Sequence, residues 1–410
     1  MKPFQKTVMF QENGAADPQA QIDEPKDERT EFESHLVYRI EEQLGMGGMG
    51  TVWRARASFL AGPGEHDDIE RDVAIKVVQG SDPNSELSQR LIKEARLTAK
   101  LNHENIVRFE GWDYIKDTRS YFFVMEYIRG MDLHGLMELH GLDKAPMQTK
   151  DVWRIPDKII GFLLFSVGNA LAYAHNYRFE TGQVGILHRD ISPGNVLIKT
   201  DEGVPKVGDF GIAEEMQNIR SPSEDREVTV CGKPGYIPPE GVANPKSLDA
   251  RSDLYSLGVL GYELMTGLRP DDPMEEPENL QQHVIDAYMA ATQKKLVPPH
   301  EIVQGIDEDL SAIVCKLLKA RQEDRFQGAD ALVDAVGRQY LFNKRYGPTK
   351  AGLREYIIAH QDKEKLSSDA INVLRFLKES WCSRTGVFQP YRLTKYAENA
   401  LAQGKNPARI

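Results

Sequence analysis

The sequence predicts an α+β chain in two unequal lobes, a small strand-rich lobe followed by a larger helical one, with a cleft between them. Three observations carry this expectation. Between about residues 35 and 128 the apolar residues fall in short runs of strand length. After Gly130 they recur every three or four residues over helix-length stretches. With 410 residues, 40% hydrophobic and 28% charged, the chain is long enough for a bilobal domain and an appendage.

Residues 1–34 are polar, acidic and poor in large apolar groups, so a disordered tail is expected. Strands are expected at 38–40 and 51–55 on either side of a glycine-rich turn, and the Pro-, Gly- and acid-rich stretch 61–72 reads as a loop. Residues 73–78 form a compact apolar strand carrying one lysine, Lys76. A helix is expected over 85–101, where Leu87, Leu91, Ala95, Thr98 and Leu101 recur at helical spacing, and a further strand over 121–128. The second lobe should contain helices at 157–175, 253–266, 278–292 and 310–319, with Gly267 closing the second of these as a C-cap. Two amphipathic stretches follow, 351–360 and 368–381, the latter with Ile371, Leu374, Leu377 and Trp381 along one side. The expected divisions are a tail (1–34), a main domain (35–341, its lobes parting near residue 128) and a C-terminal helical extension (342–410).

Bulk properties exclude several classes of function. A net charge of −11 argues against nonspecific nucleic-acid binding and against an anionic membrane surface, since both require a basic face. Cys231, Cys315 and Cys382 are too few and too scattered for a disulfide framework or a zinc site and suit a reducing compartment. The longest apolar run, 159–174, is broken by Gly161, Ser166, Gly168 and Asn169, so it reads as a buried helix and not a membrane span. The first residues lack a basic start followed by an apolar core, so no secretory signal is expected. A cytoplasmic location follows as the expectation.

The chemistry concentrates in two segments. His188-Arg189-Asp190-Ile191-Ser192-Pro193-Gly194-Asn195 puts an acid and an amide five residues apart on one loop, and Asp209-Phe210-Gly211 adds a second acid after a short strand. One carboxylate can orient a hydroxyl nucleophile while the amide and the other carboxylate hold magnesium, which is the chemistry of phosphoryl transfer from ATP. Gly45-Met46-Gly47-Gly48-Met49-Gly50-Thr51-Val52 fits G-x-G-x-x-G-x-V, whose glycines let backbone N–H groups approach phosphate oxygens. Alone, that pattern is more often a plain hairpin, since glycine-rich turns are common. It leads into a strand, whereas a dinucleotide-binding loop would open a helix. Lys76 reads either as a solvated edge-strand lysine or as a phosphate contact. In the second case it needs an acidic partner, for which Glu94 on the following helix is the candidate.

Taken in order, these motifs resemble those of the eukaryotic-like (Hanks-type) serine/threonine protein kinases, with the texture of bacterial members. The resemblance runs from about residue 38 to residue 340. It includes Val73–Lys76, Glu94, Pro238-Pro239-Glu240 in place of A-P-E, Asp253 and Arg325. It implies a bilobal protein-kinase fold and the following roles. Asp190 orients the substrate hydroxyl and accepts its proton, Asn195 and Asp209 bind Mg2+ (or Mn2+), and Lys76, held by Glu94, fixes the phosphates. Gly45, Gly47, Gly48 and Gly50 cover the phosphates. Leu44, Val52 and Ala74 lie above the adenine of ATP and Leu197 below it. Met125 is the gatekeeper, Glu126 and Ile128 offer backbone groups to the base, and Asp132 reaches the ribose. Glu240 and Arg325 form a buried ion pair.

Two positions depart from the family pattern. Ser192 stands where a lysine is usual, and Lys233 stands where a threonine is usual. Since developing charge on the γ-phosphate needs a nearby cation but is indifferent to the loop that carries it, an exchange is expected in which Lys233 supplies that cation. Arg189 and Thr229 further suggest activation by autophosphorylation of Thr229. The expected function is ATP- and Mg-dependent phosphorylation of protein serine or threonine, on substrates the sequence does not name, with a homodimer as the natural assembly for reaction in trans. A nucleotide-sensing pseudokinase scaffold and a tyrosine or dual-specificity kinase are the alternatives.

Overall fold

The computed structural model describes residues 10–11, 36–47, 50–59, 69–79, 92, 95–115, 120–140, 155–180, 182, 184–210, 233, 235–244, 247–270, 292, 295–346 and 349–361. Glu94, Gly48, Gly211, Thr229, Cys231, most of the expected helix 278–292 and the stretch 368–381 lie outside these residues, as does all of the expected tail except Phe10 and Gln11.

The first lobe is a six-stranded sheet in the order β1-β2-β3-β4-β6-β5. Its strands are β1 (Phe10–Gln11), β2 (Leu36–Gly47), β3 (Gly50–Phe59), β4 (Ile69–Gln79), β5 (Phe109–Ile115) and β6 (Ser120–Glu126). The short β1 pairs in parallel with Tyr38 and Arg39 of β2, while all other neighbours in this sheet are antiparallel. Strands β2–β4 are longer than expected because the pairing continues through charged residues. Arg56 lies opposite Asp72 and forms an ion pair with Glu70, so the predicted loop 61–72 ends inside β4. β5 has no counterpart in the sequence expectations.

The two-residue period of β4 decides where its lysine points. Val73 and Ile75 bury themselves with Tyr38, Ala55, Ala57, Phe122 and Val124 on one face. Val78 packs with Ala95, Phe109, Tyr121 and Phe123 on the other. Lys76 shares the second face, the one that turns toward Ala95 and the cleft. Gly50, at the start of β3, has φ 127°, and a Cβ there would overlap the carbonyl of Val77, so two constraints require glycine at this end of the hairpin.

Below the cleft, β7 (Gly130–Asp132), β8 (Val196–Lys199) and β9 (Val204–Val207) form a small antiparallel sheet. The helical lobe is built on α1 (Leu133–Glu138), α2 (Asp157–Asn176), α3 (Pro239–Ala243), α4 (Ala250–Thr266), α5 (Pro299–Ile302), α6 (Glu308–Leu317) and α7 (Ala329–Asp334). α7 runs on into a π-helical segment, Ala335–Phe342. α2 has the length and mean hydropathy (1.2) of a membrane span, but most of it is buried inside this lobe, as expected of a core helix. α4 starts at a capping box between Asp249 and Ser252 and ends at Gly267, whose φ of 72° provides the predicted C-cap.

The first helix of the expected extension, α8 (350–361), packs as part of the helical lobe. Leu353 and Ile357 are fully buried in its core. Tyr356 stacks on His140 and is hydrogen-bonded to its Nε2, and Lys350 pairs with Glu104. A Cβ on Gly203, in the β8–β9 turn, would overlap the Lys350 carbonyl, and φ there is 67°.

Candidate active site

The catalytic-loop segment is held by its backbone. Asp253, buried on α4, accepts the N–H groups of His188 (2.8 Å) and Arg189 (2.7 Å), and its Oδ2 also meets His175 Nε2 at 2.7 Å. Burial alone would raise the Asp253 pKa, but the His175 hydrogen bond and the neighbouring imidazoles hold it below the usual carboxylate value. His188 is fully buried. Its Nε2 meets the Gly208 carbonyl at 2.7 Å while its Nδ1 accepts the N–H of Asp190 at 3.2 Å, which fixes the proton on Nε2. Arg189 (φ 66°) and Asp209 (φ 55°) both adopt left-handed backbone, a conformation that costs energy in non-glycine residues and concentrates at functional sites.

The carboxylate of Asp190 is anchored twice. Oδ1 accepts the main-chain N–H of Lys233 at 3.0 Å, and Oδ2 accepts Asn195 Nδ2 at 2.8 Å. Asn195 Nδ2 also donates to the Asp190 carbonyl at 2.7 Å. Burial raises the Asp190 pKa above the ordinary aspartate value, against the opposing pull of His188 and these hydrogen bonds. Asp209 behaves oppositely. Burial would raise it, but Lys76 Nζ, 2.8 Å from Oδ2, keeps its pKa lowered. Two carboxylates of one site are thereby driven apart, one toward proton acceptance and one toward permanent charge.

Lys76 is 4% exposed, so its ammonium sits in the cleft and not on a solvated strand edge. Asp209 is its partner among the described residues. The side chain of Asn195 turns its Nδ2 toward Asp190, and no described residue bonds to Asn195 Oδ1 or Asp209 Oδ1. Those two hard oxygens fit Mg2+, which takes few protein ligands and completes its shell with water and phosphate oxygens. No cluster of three or more His, Cys, Asp or Glu side chains forms a metal cage among the described residues.

A cavity of about 490 Å³ adjoins these groups. Leu44, Gly45, Val52 and Ala74 line it from the sheet, Leu197 from the floor, and Met125, Glu126 and Ile128 along the connection between lobes. Asp132, Asn195 and Asp209 line it as well, so most of the sequence-predicted nucleotide site is brought together in one space. Met125 also borders a small recess behind the cavity with Thr98, Phe109 and Phe210. Phe210 is buried edge-on against His188, and its carbonyl accepts Thr98 Oγ1 at 3.0 Å. Asp132 has a second task that the sequence did not suggest: its Oδ1 caps α1 by accepting the N–H of Gly135 at 2.9 Å.

Glu240 and Arg325 are joined as expected. Arg325, 2% exposed, makes a two-pronged pair with Glu240 at 2.7 and 2.8 Å. Its remaining N–H groups go to the carbonyls of Lys319, Arg251 and Ala320, and its guanidinium lies over Tyr255. Ser192 is 2% exposed and carries no charge into the cleft. Lys233 is exposed, and its Nζ lies 3.2 Å from Nε2 of His134 on α1, a residue that sequence reasoning did not single out.

Residues 38–336 match the protein kinase domain family. The chain is similar to the tyrosine-protein kinase MasK of Myxococcus xanthus, 31% identical over 332 residues that make up 80% of this chain and 47% of that protein. It is also similar to the serine/threonine-protein kinase PknB of Mycobacterium tuberculosis, 33% identical over 72% of this chain and 42% of that protein. The chain therefore spans less than half the length of either relative. The crystal structure of the PknI kinase domain of Mycobacterium tuberculosis matches 74% of this chain and 95% of its own, at TM-score 0.49 and 21% identity. On the span of the family match and the identity to such relatives, this chain belongs to the protein kinase domain family.

Proposed function

We propose that this chain is an ATP- and magnesium-dependent protein kinase that transfers the γ-phosphate to serine or threonine hydroxyls. The observation that carries the reading is that Asn195 and Asp209 line one cavity sized for a nucleotide while Lys76 is bonded to Asp209 and Asp190, held by two hydrogen bonds, is bonded to Asn195. In this reading Leu44, Val52, Ala74 and Leu197 enclose the base, while the backbone of Glu126 and Ile128 pairs with it. Lys76 binds the phosphates. Asn195 and Asp209 would hold Mg2+, which would supply positive charge to the phosphate oxygens. Asp190 orients the incoming hydroxyl. As the new oxygen–phosphorus bond forms, the bond to the ADP oxygen breaks and the hydroxyl proton passes to Asp190, whose raised pKa suits it to that task.

Lys233 takes the place of the cation that Ser192 cannot supply. Its main chain is tied to Asp190, so its ammonium is carried on a segment in register with the reacting hydroxyl. Autophosphorylation at Thr229 belongs to the same reading. The test is phosphosite mapping by mass spectrometry after incubation with Mg-ATP, with Asp190→Asn as control. Phosphoserine and phosphothreonine, Thr229 among them, are expected in the wild type and absent from the mutant. An unmodified wild-type protein with no transferred label would overturn the reading in favour of a nucleotide-sensing pseudokinase. Tyrosine specificity is the second reading, favoured by the name of the Myxococcus relative, and phosphotyrosine in the same experiment would establish it.

A further inference from the structure

The ammonium of Lys233 has an unusual partner. Among the described residues no carboxylate forms an ion pair with it, and its Nζ instead meets the Nε2 of His134 at 3.2 Å. His134 sits in the first turn of α1, next to Asp132, the cap of that helix. The catalytic loop meets the ring through Gly194, where even a Cβ would lie 3.7 Å from His134 Cδ2, so a longer side chain would compete for the space of the imidazole. Lys233 is thus fixed at two points: its N–H on the catalytic carboxylate and its Nζ on the helix at the cleft mouth.

A neutral acceptor differs physically from a carboxylate. A carboxylate would hold the ammonium by charge attraction and cancel its field. An imidazole orients the same ammonium through one hydrogen bond and leaves its charge intact. Only the neutral ring with its proton on Nδ1 can do this, because a protonated ring would repel Lys233. The groups facing the ring are Lys233 from the activation segment and Asp132 and Glu138 from its own element. Burial and then Lys233 lower its pKa, which keeps it neutral at physiological pH.

We propose that His134 is the positioning residue for Lys233, holding its ammonium oriented and fully charged at the cleft until the γ-phosphate takes it over. The inference rests on the reading that Lys233 supplies the transfer cation. It assigns the task to an unremarkable histidine on a different element from either loop.

Two measurements test it. The first follows the His134 ring by NMR titration in the wild type and in Lys233→Met. Loss of the neighbouring ammonium should move the His134 titration to higher pH, and an unmoved titration would overturn the contact. The second measures single-turnover autophosphorylation with [γ-32P]ATP at pH 8 for His134→Ala, His134→Gln, Lys233→Met and the His134→Ala/Lys233→Met double mutant, each checked for a native thermal melt. His134→Ala should slow transfer about three- to tenfold, as expected for coupled neighbours. His134→Gln, which keeps an uncharged acceptor, should recover most of that loss, and the double mutant should be no slower than Lys233→Met alone. Independent, additive losses or a wild-type rate in His134→Ala would overturn the proposal while leaving the Lys233 reading intact. A wild-type rate in Lys233→Met would instead remove the reading on which it rests.

Discussion

Two cations border the activation segment, and they are held in opposite ways. Arg325 is buried with all five N–H groups satisfied, two of them by the carboxylate of Glu240. Lys233 is exposed, anchored by its main chain, and its ammonium touches one neutral imidazole. A buried ion pair with every donor spoken for cannot give its charge to a ligand, and breaking it leaves an uncompensated charge in the core. A surface ammonium held by a neutral acceptor adds little to stability but keeps its field for whatever anion arrives. The first arrangement suits a clamp and the second a reagent.

That contrast predicts separable failures. Arg325→Ala should cause the largest change, a loss of about 3–5 kcal/mol of stability, because the Glu240 carboxylate loses its counter-charge and keeps only the Ser252 hydroxyl. Chemical denaturation should register it, while any folded fraction turns over at the wild-type rate per molecule. A native melting temperature for this variant would make Arg325 no more of a clamp than Lys233.

A second structural clamp lies at the back of the helical lobe. Gly203→Ala should cost about 1–3 kcal/mol, since the new methyl meets the Lys350 carbonyl and φ is left-handed. In a chain truncated after residue 342 the same substitution should cost only the backbone strain, about 1 kcal/mol. Equal losses in both backgrounds would mean that α8 does not dock on this turn. Tyr356→Phe, which removes one hydrogen bond to His140, should cost about 1 kcal/mol or less.

Electrostatics sharpen the comparison through pH. Burial raises the pKa of Asp190, and the base must be deprotonated, so the transfer rate should fall as pH drops through a value above the ordinary aspartate range. Asp209, lowered by Lys76, should stay charged across the same window. A single acid limb at the ordinary aspartate pKa would show that Asp190 is better solvated than its burial implies.

Most of the site could be read in the sequence because its chemistry sits on short contiguous motifs. The spacing from Asp190 to Asn195 and on to Asp209, and Lys76 inside an apolar strand, are local patterns, and folding joins them by hydrogen bonds beside one cavity that Asn195 and Asp209 line. The residues that escaped notice depend on long-range contacts. His134 is an ordinary letter until α1 is folded against the catalytic loop. Gly203 looks like a plain turn glycine until α8 lies across it. β3 and β4 were underread because their outer halves alternate charged and small residues, such as Arg56 and Ala57, and only the cross-strand pairing with Glu70 and Arg71 reveals them as sheet. The clamp was legible in part, since Glu240 and Arg325 belong to recognisable motifs, but the three carbonyls that complete the Arg325 shell were not.

The central claim is that the positive charge absent at Ser192 has moved to Lys233. It is tested most directly by the single-turnover rate of γ-phosphate transfer in Lys233→Met, compared with wild type at equal folded concentration. A drop of about 10²–10³ with an unchanged melting temperature is expected, the size seen when one preorganised hydrogen-bond donor to a transition-state oxyanion is removed. Transfer at close to the wild-type rate would contradict the account.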